Sequence, residues 1–225
     1  MIKEKFEELL STFCEDTPNI SAILSYLADT DFYTAPASTK YHGCYEGGLC
    51  KHSMQVFYNL LNIVESVYKC KPCAQEILNN KQPKIYAIPE NLQSVEHTVE
   101  YIEYCTPYHV SQLAFVALLH DVCKIGCYVL DTKNQKNEQG QWEKVNYYRW
   151  DESIVMGHGS KSLWLLQCMT SVPFMEAQAI RYHMGFCEAN GSSSIMGEVS
   201  KVFDSNELAL LLHQADLQST YINKI

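Results

Sequence analysis

Apolar residues recur at three and four residues in MIKEKFEELL and again in ISAILSYLA, which predicts two short helices within the first 30 residues. Thr17-Pro18 suits the cap and first turn of the second. Residues 31–49, rich in Thr, Ala, Pro, Ser and Gly, read as a loop. A helix is expected over 50–68, with Val56, Leu60 and Ile63 on its inward face. Residues 69–90 hold three prolines and read as irregular. Further helices are expected over 92–104, 109–122, 160–170, 173–184 and 206–221. Between them the period changes. Tyr128-Val129-Leu130, a polar turn and the stretch Trp142–Trp150 predict a β-hairpin within 125–150. The expected fold is therefore an all-α bundle with one inserted hairpin. No shift in composition cuts it, so residues 1–225 read as one folding unit, with 1–40 as a helical extension serving as a cap or dimer element.

Charge narrows the partners. There are 26 acidic against 17 basic residues, a formal charge of −9, which argues against coating a long nucleic acid. No apolar run reaches membrane-spanning length, so no membrane partner is expected. The first residues lack the apolar core of an export signal, which predicts a cytoplasmic protein with reduced thiols. The chain nonetheless carries 10 cysteines and 8 histidines. Only Cys70-Lys-Pro-Cys73 has C-x-x-C spacing, and no second pair faces it. The cysteines therefore read as small buried bystanders, not as a zinc ribbon.

The histidines and aspartates are more informative. In LAFVALLHDVCKIG, His120 and Asp121 end an apolar run that must be buried; Asp216 follows a similar run in ELALLLHQADLQS. Buried carboxylates need a counter-charge, and few Lys or Arg lie nearby in the chain, so a bound cation is expected. His52 shares a helical face with Val56 and Leu60, and His183 ends a helix whose inward face is Met175, Ala179 and Ile180. His158 sits between Gly157 and Gly159, where the backbone can approach closely. Imidazole and carboxylate donors together suit Zn, Fe, Mn, Co or Ni rather than Ca. Each of these residues also has an ordinary reading, as a satisfied core histidine or a capping aspartate. His42, His97 and His109 read as solvated, and His213 as a core or supporting residue.

In this order (His52, His120-Asp121, His158, His183, Asp216, with GGL before the first) the chain resembles the HD-domain metal-dependent phosphohydrolase superfamily over residues 42–221. The resemblance implies an HD-domain helical bundle holding two divalent transition metals: Fe, Mn, Ni, Co or Zn, with Mg as a further option. It places His52, His120, Asp121 and Asp216 on the first and Asp121, His158 and His183 on the second. Asp121 would bridge them beside a shared hydroxide that attacks phosphorus. Lys124 would lie at the substrate phosphate, with Arg181 as a further phosphate contact. The implied substrate is a nucleotide or a similar small phosphate ester, with room for a homo-oligomer. MGFCEANGSS after His183 does not match the cyclic-di-GMP phosphodiesterases, and Cys123 stands where the family usually has Ile, Leu or Met. The GGL-x-x-H and LLLH-x-AD segments look like the HD domain of bacterial exoribonucleases, without that family's additional nucleic-acid-binding domain. Two alternatives share the ligands: a mixed-valence di-iron oxygenase and a non-catalytic metal-binding module. In the hairpin, Tyr147, Tyr148, Arg149 and Trp150 could stack on a base or simply pack on the helices.

Overall fold

A computed structural model describes residues 2–70, 81–189 and 192–224. Among them are nine α-helices and one antiparallel strand pair. The helices are α1 (Ile2–Phe13), α2 (Ile20–Ala28), α3 (Gly48–Cys70), α4 (Glu96–Cys105), α5 (Val110–Leu119), α6 (His158–Gln167), α7 (Phe174–Tyr182), α8 (Ser193–Ser205) and α9 (Glu207–Leu217). Strands β1 (Tyr128–Lys136) and β2 (Trp142–Trp150) form the hairpin between α5 and α6.

The sequence of α5 explains its place. Val110 and every residue from Leu113 to Leu119 are buried. A helix apolar on all sides must be surrounded, and α5 packs against α1, α3, α4 and α7. Helix α9 lies across α3 and α7, and α6 pairs with α7. The first N-terminal helix packs into this core. Phe6, Leu9, Leu10 and Phe13 are fully buried in the same core as Phe57 and Leu118, with the Phe13 and Phe57 rings 5.6 Å apart.

Several boundaries move for local reasons. Helix α2 begins after Pro18, because Asn19 adopts a left-handed φ of 58° just before Ile20. On α3, Val56 and Leu60 are buried as expected, but Leu61 and Val64 are buried where Ile63 is only partly so. Met175, expected inward, is 41% exposed. The helix expected over 206–221 is regular to Leu217 and then widens into a π-helical turn over Gln218–Asn223. Helix α8 was not expected at all. It is rich in Ser, contains Gly197 and buries only Val199 and Val202. Cys73 lies outside the described residues.

The hairpin pairs Tyr128 with Trp150 at its root and Lys136 with Trp142 at its tip. The tip closes on Asn137, whose side-chain oxygen accepts from the backbone N–H groups of Gln139 and Gln141. At the root, the Asp151 N–H donates to the Cys127 carbonyl at 2.8 Å, and the Tyr128 hydroxyl donates to the Ala37 carbonyl at 2.9 Å. Most of the ribbon is exposed. No helix among the described residues is long and apolar enough to cross a membrane.

The loop before α3 is pressed onto the helix start. A Cβ on Gly48 would lie 2.0 Å from the Gly43 carbonyl oxygen. Gly48→Ala should therefore lower the urea midpoint, by about 1–3 kcal/mol of stability as for overpacking elsewhere. Gly197 has nothing within 4 Å of such an atom, so Gly197→Ala should raise stability by about 0.5–1 kcal/mol. Equal effects of the two substitutions would contradict this packing.

Candidate metal centre

Three helices end at one point. His120 and Asp121 follow the last residue of α5, His183 follows α7, and Asp216 is the penultimate residue of α9. Helix C-termini carry partial negative charge and favour cations nearby. Two carboxylates are added there, in a place almost closed to water: Asp121 is only 2% exposed. His52 arrives from the first turns of α3, and His158 is the first residue of α6. Gly159 allows this last approach. A Cβ there would sit 2.2 Å from the Arg181 carbonyl oxygen, so no other residue lets α6 lie this close to the end of α7.

The six residues expected from the sequence converge on Asp121. Its Oδ2 lies 3.4 Å from His120 Nε2 and 3.6 Å from His52 Nε2, while His52 Nε2 is also 3.0 Å from Asp216 Oδ1. Its Oδ1 lies 2.8 Å from His158 Nε2 and 3.5 Å from His183 Nε2. Three overlapping donor groups result: His52–His120–Asp216, His120–Asp121–His183 and Asp121–Cys123–His158, each with its atoms within 4.8 Å of one another.

The hydrogen bonds behind the rings decide what these atoms offer. His120 Nδ1 lies 2.8 Å from the Ala117 carbonyl, and His183 Nδ1 lies 2.7 Å from the Ile180 carbonyl. A carbonyl only accepts, so both Nδ1 atoms carry hydrogen, and in the neutral ring Nε2 presents a lone pair. The Nε2 atoms of His120 and His183 are buried without a hydrogen-bond partner, whereas His52 Nε2 faces Asp216 Oδ1. The lone pairs of His120 and His183, 3.4 and 3.5 Å from the Asp121 carboxylate, repel it unless a proton or a metal ion lies between them. Nitrogen and oxygen ligands of a tetrahedral ion with bonds of about 2.0–2.2 Å stand roughly 3.4 Å apart. The donors fit a metal ion, and the cluster can hold one.

Burial pushes the Asp121 carboxyl up, but the Lys124 ammonium beside it works against this, and the group is held well below the usual carboxylate range. Asp216 is likewise held down, by His52 against its burial. Lys124 is buried with its Nζ 2.7 Å from Asp121 Oδ2, and it lines a cleft of about 350 Å³ that opens over Asp121, His158 and Asp216. Arg181 is placed elsewhere. Its guanidinium pairs with Glu188 and stacks on Tyr182, and it does not line this cleft. Of the four hairpin residues considered above, only Trp150 reaches the cleft wall. Arg149 pairs with Asp131 and Asp151, and Tyr147 lies beneath Lys133.

Two contributors were not visible in the sequence. Ser219 Oγ lies 3.0 Å from His52 Nδ1 and fixes that ring; its spacing of three from Asp216 was the available signal. His42, expected to be solvated, lines the cleft with its ring 4.9 Å from that of His52. His213, expected to play a supporting part, bonds through Nδ1 to the His183 carbonyl at 2.7 Å. Comparison of the chain with protein-family models, curated proteins and solved structures gives no match.

Burial, with the neighbouring His52 and Lys124, lowers the His42 imidazole from 6.5 to about 4. Between these values the unfolded chain binds a proton at His42 and the folded chain does not. Stability is therefore lost as pH falls through this window. With a chelator present, His42→Gln should lose less stability than the parent between pH 7 and pH 4.5. Identical urea midpoints at both pH values would refute the assignment.

Proposed function

We propose that the protein is a metal-dependent phosphohydrolase acting on a nucleotide or similar small phosphate ester. The observation that carries this reading is the pair of buried, unpartnered Nε2 atoms of His120 and His183 beside Asp121, at the floor of a cleft that also presents the Lys124 ammonium. The order of the six residues, which resembles the HD phosphohydrolases, supports the same chemistry.

His52, His120, Asp121 and Asp216 would hold one ion and Asp121, His158 and His183 a second, with the two oxygens of Asp121 facing the two sets. Divalent ions held there supply Lewis acidity toward a phosphoryl oxygen and lower the pKa of water. The chain's own residues do the remaining work. Lys124 places a fixed positive charge in a buried, low-dielectric floor, where it stabilises charge developing on the phosphoryl oxygens. Tyr128 and Trp150 form an aromatic wall, their rings edge to face at 5.1 Å, and Met184, Leu217 and Tyr221 also line the cleft. A cleft of about 350 Å³ suits a small molecule. A net charge of −9 favours a substrate bound at the metals over one held along a basic surface.

The test is phosphate release from a panel of nucleotides and simple phosphate esters with Mn²⁺, Co²⁺, Ni²⁺ or Mg²⁺. His120→Ala and Asp121→Ala should abolish release and metal retention together. Lys124→Ala should keep the metal and slow release by about 10²–10³-fold. Metal-loaded protein that releases no phosphate from any substrate would overturn the proposal. Two bound irons with a mixed-valence signal and oxygen-dependent turnover would replace it with an oxygenase.

A further inference from the structure

Among the described residues, Cys123 is a further donor that groups with two of the six expected ligands. Cys123 Sγ, a carboxylate oxygen of Asp121 and a ring nitrogen of His158 lie within 4.8 Å of one another. The thiol is fully buried, in the short 3₁₀ turn Val122–Lys124 that follows Asp121. Its position is fixed from α6: the Cys123 N–H donates to Ser162 Oγ at 3.1 Å. Ser162 is four residues after His158, one helical turn along the same face, so α6 seats the imidazole and the thiol side by side. On the same side, His183 Nε2 is buried, unpartnered and 3.5 Å from Asp121 Oδ1. Cys127, four residues on, is engaged elsewhere, with its Sγ 3.1 Å from Lys161 Nζ.

We infer that Cys123 supplies a sulfur ligand to the ion held by Asp121, His158 and His183, making that position selective for a thiophilic metal such as zinc or cadmium over manganese or magnesium. The inference rests on the metal-centre reading above. Nitrogen, oxygen and sulfur ligands of a tetrahedral zinc stand roughly 3.4–3.6 Å apart, so Asp121, Cys123 and His158 need to close by about an ångström from their 4.8 Å limit, while His183 is brought to the same ion by its contact with Asp121. Soft thiolate selects zinc-like ions, whereas carboxylate and water suit magnesium and manganese. When the metal–sulfur bond forms, the thiol proton leaves to solvent.

The test uses the full chain with Cys70→Ser and Cys73→Ser, so that the C-x-x-C pair cannot contribute, loaded with Co²⁺. A near-ultraviolet sulfur-to-cobalt charge-transfer band is expected. It should persist in Cys127→Ser and disappear in Cys123→Ser and Cys123→Ala. Zinc affinity should fall at least tenfold in the two Cys123 variants, with manganese affinity unchanged. Should both variants fail to fold, the ¹¹³Cd resonance of the cadmium-loaded parent gives the same information, because a sulfur ligand moves it downfield. Cobalt bound without the band, a band that survives Cys123→Ser, or a cadmium resonance typical of nitrogen and oxygen donors alone would overturn the inference and leave the metal centre standing. Failure of the parent to bind cobalt, zinc or cadmium would overturn both.

Discussion

The structure turns on a carboxylate placed where the chain can least tolerate one. Asp121 follows an α-helix whose own residues are almost all buried, so the group cannot swing out to water without unravelling the centre of the core. It also faces the negative ends of three helices. Everything around it answers this one requirement for positive charge. Lys124 supplies some from three residues away. The four imidazoles supply donors for more.

The same helix ends that create the demand also fix the response. His120 and His183 each bond back to the carbonyl three residues earlier, so each helix terminus sets the tautomer and orientation of the ring that leaves it. His52 is fixed from a different direction, by Ser219 in the widened turn after α9. Rings held in this way cost little further ordering when a ligand arrives. The apolar core and the candidate metal centre are thus one construction: the packing that buries Leu113–Leu119 also aims the donors.

What was legible in the sequence was the conflict between polarity and burial. His52, His120, Asp121, His183 and Asp216 stand out because each interrupts or ends an apolar helical pattern, and His158 because glycines flank it. Residues without such a conflict were silent. His42 lies in a loop, and nothing in its neighbours shows that the loop folds back over His52. Cys123 sits in an apolar context that suits an inert thiol equally well. Helix α8 was legible, since Ile195, Met196, Val199, Val202 and Phe203 recur at helical spacing, but the Ser-rich, Gly-containing composition around them suggests a loop. Arg181 shows the opposite failure: a chemically apt side chain whose charge is already committed to Glu188.

The hairpin leaves and rejoins the core through adjacent groups, the Cys127 carbonyl and the Asp151 N–H being 2.8 Å apart. Asp121 lies before this closure and His158 after it, so the distance between these two side chains does not depend on how long the excursion is. A ribbon anchored this way meets the cleft only at its root. Its length and outer surface can vary freely, while Tyr128 and Trp150 at the closed root keep the cleft wall constant.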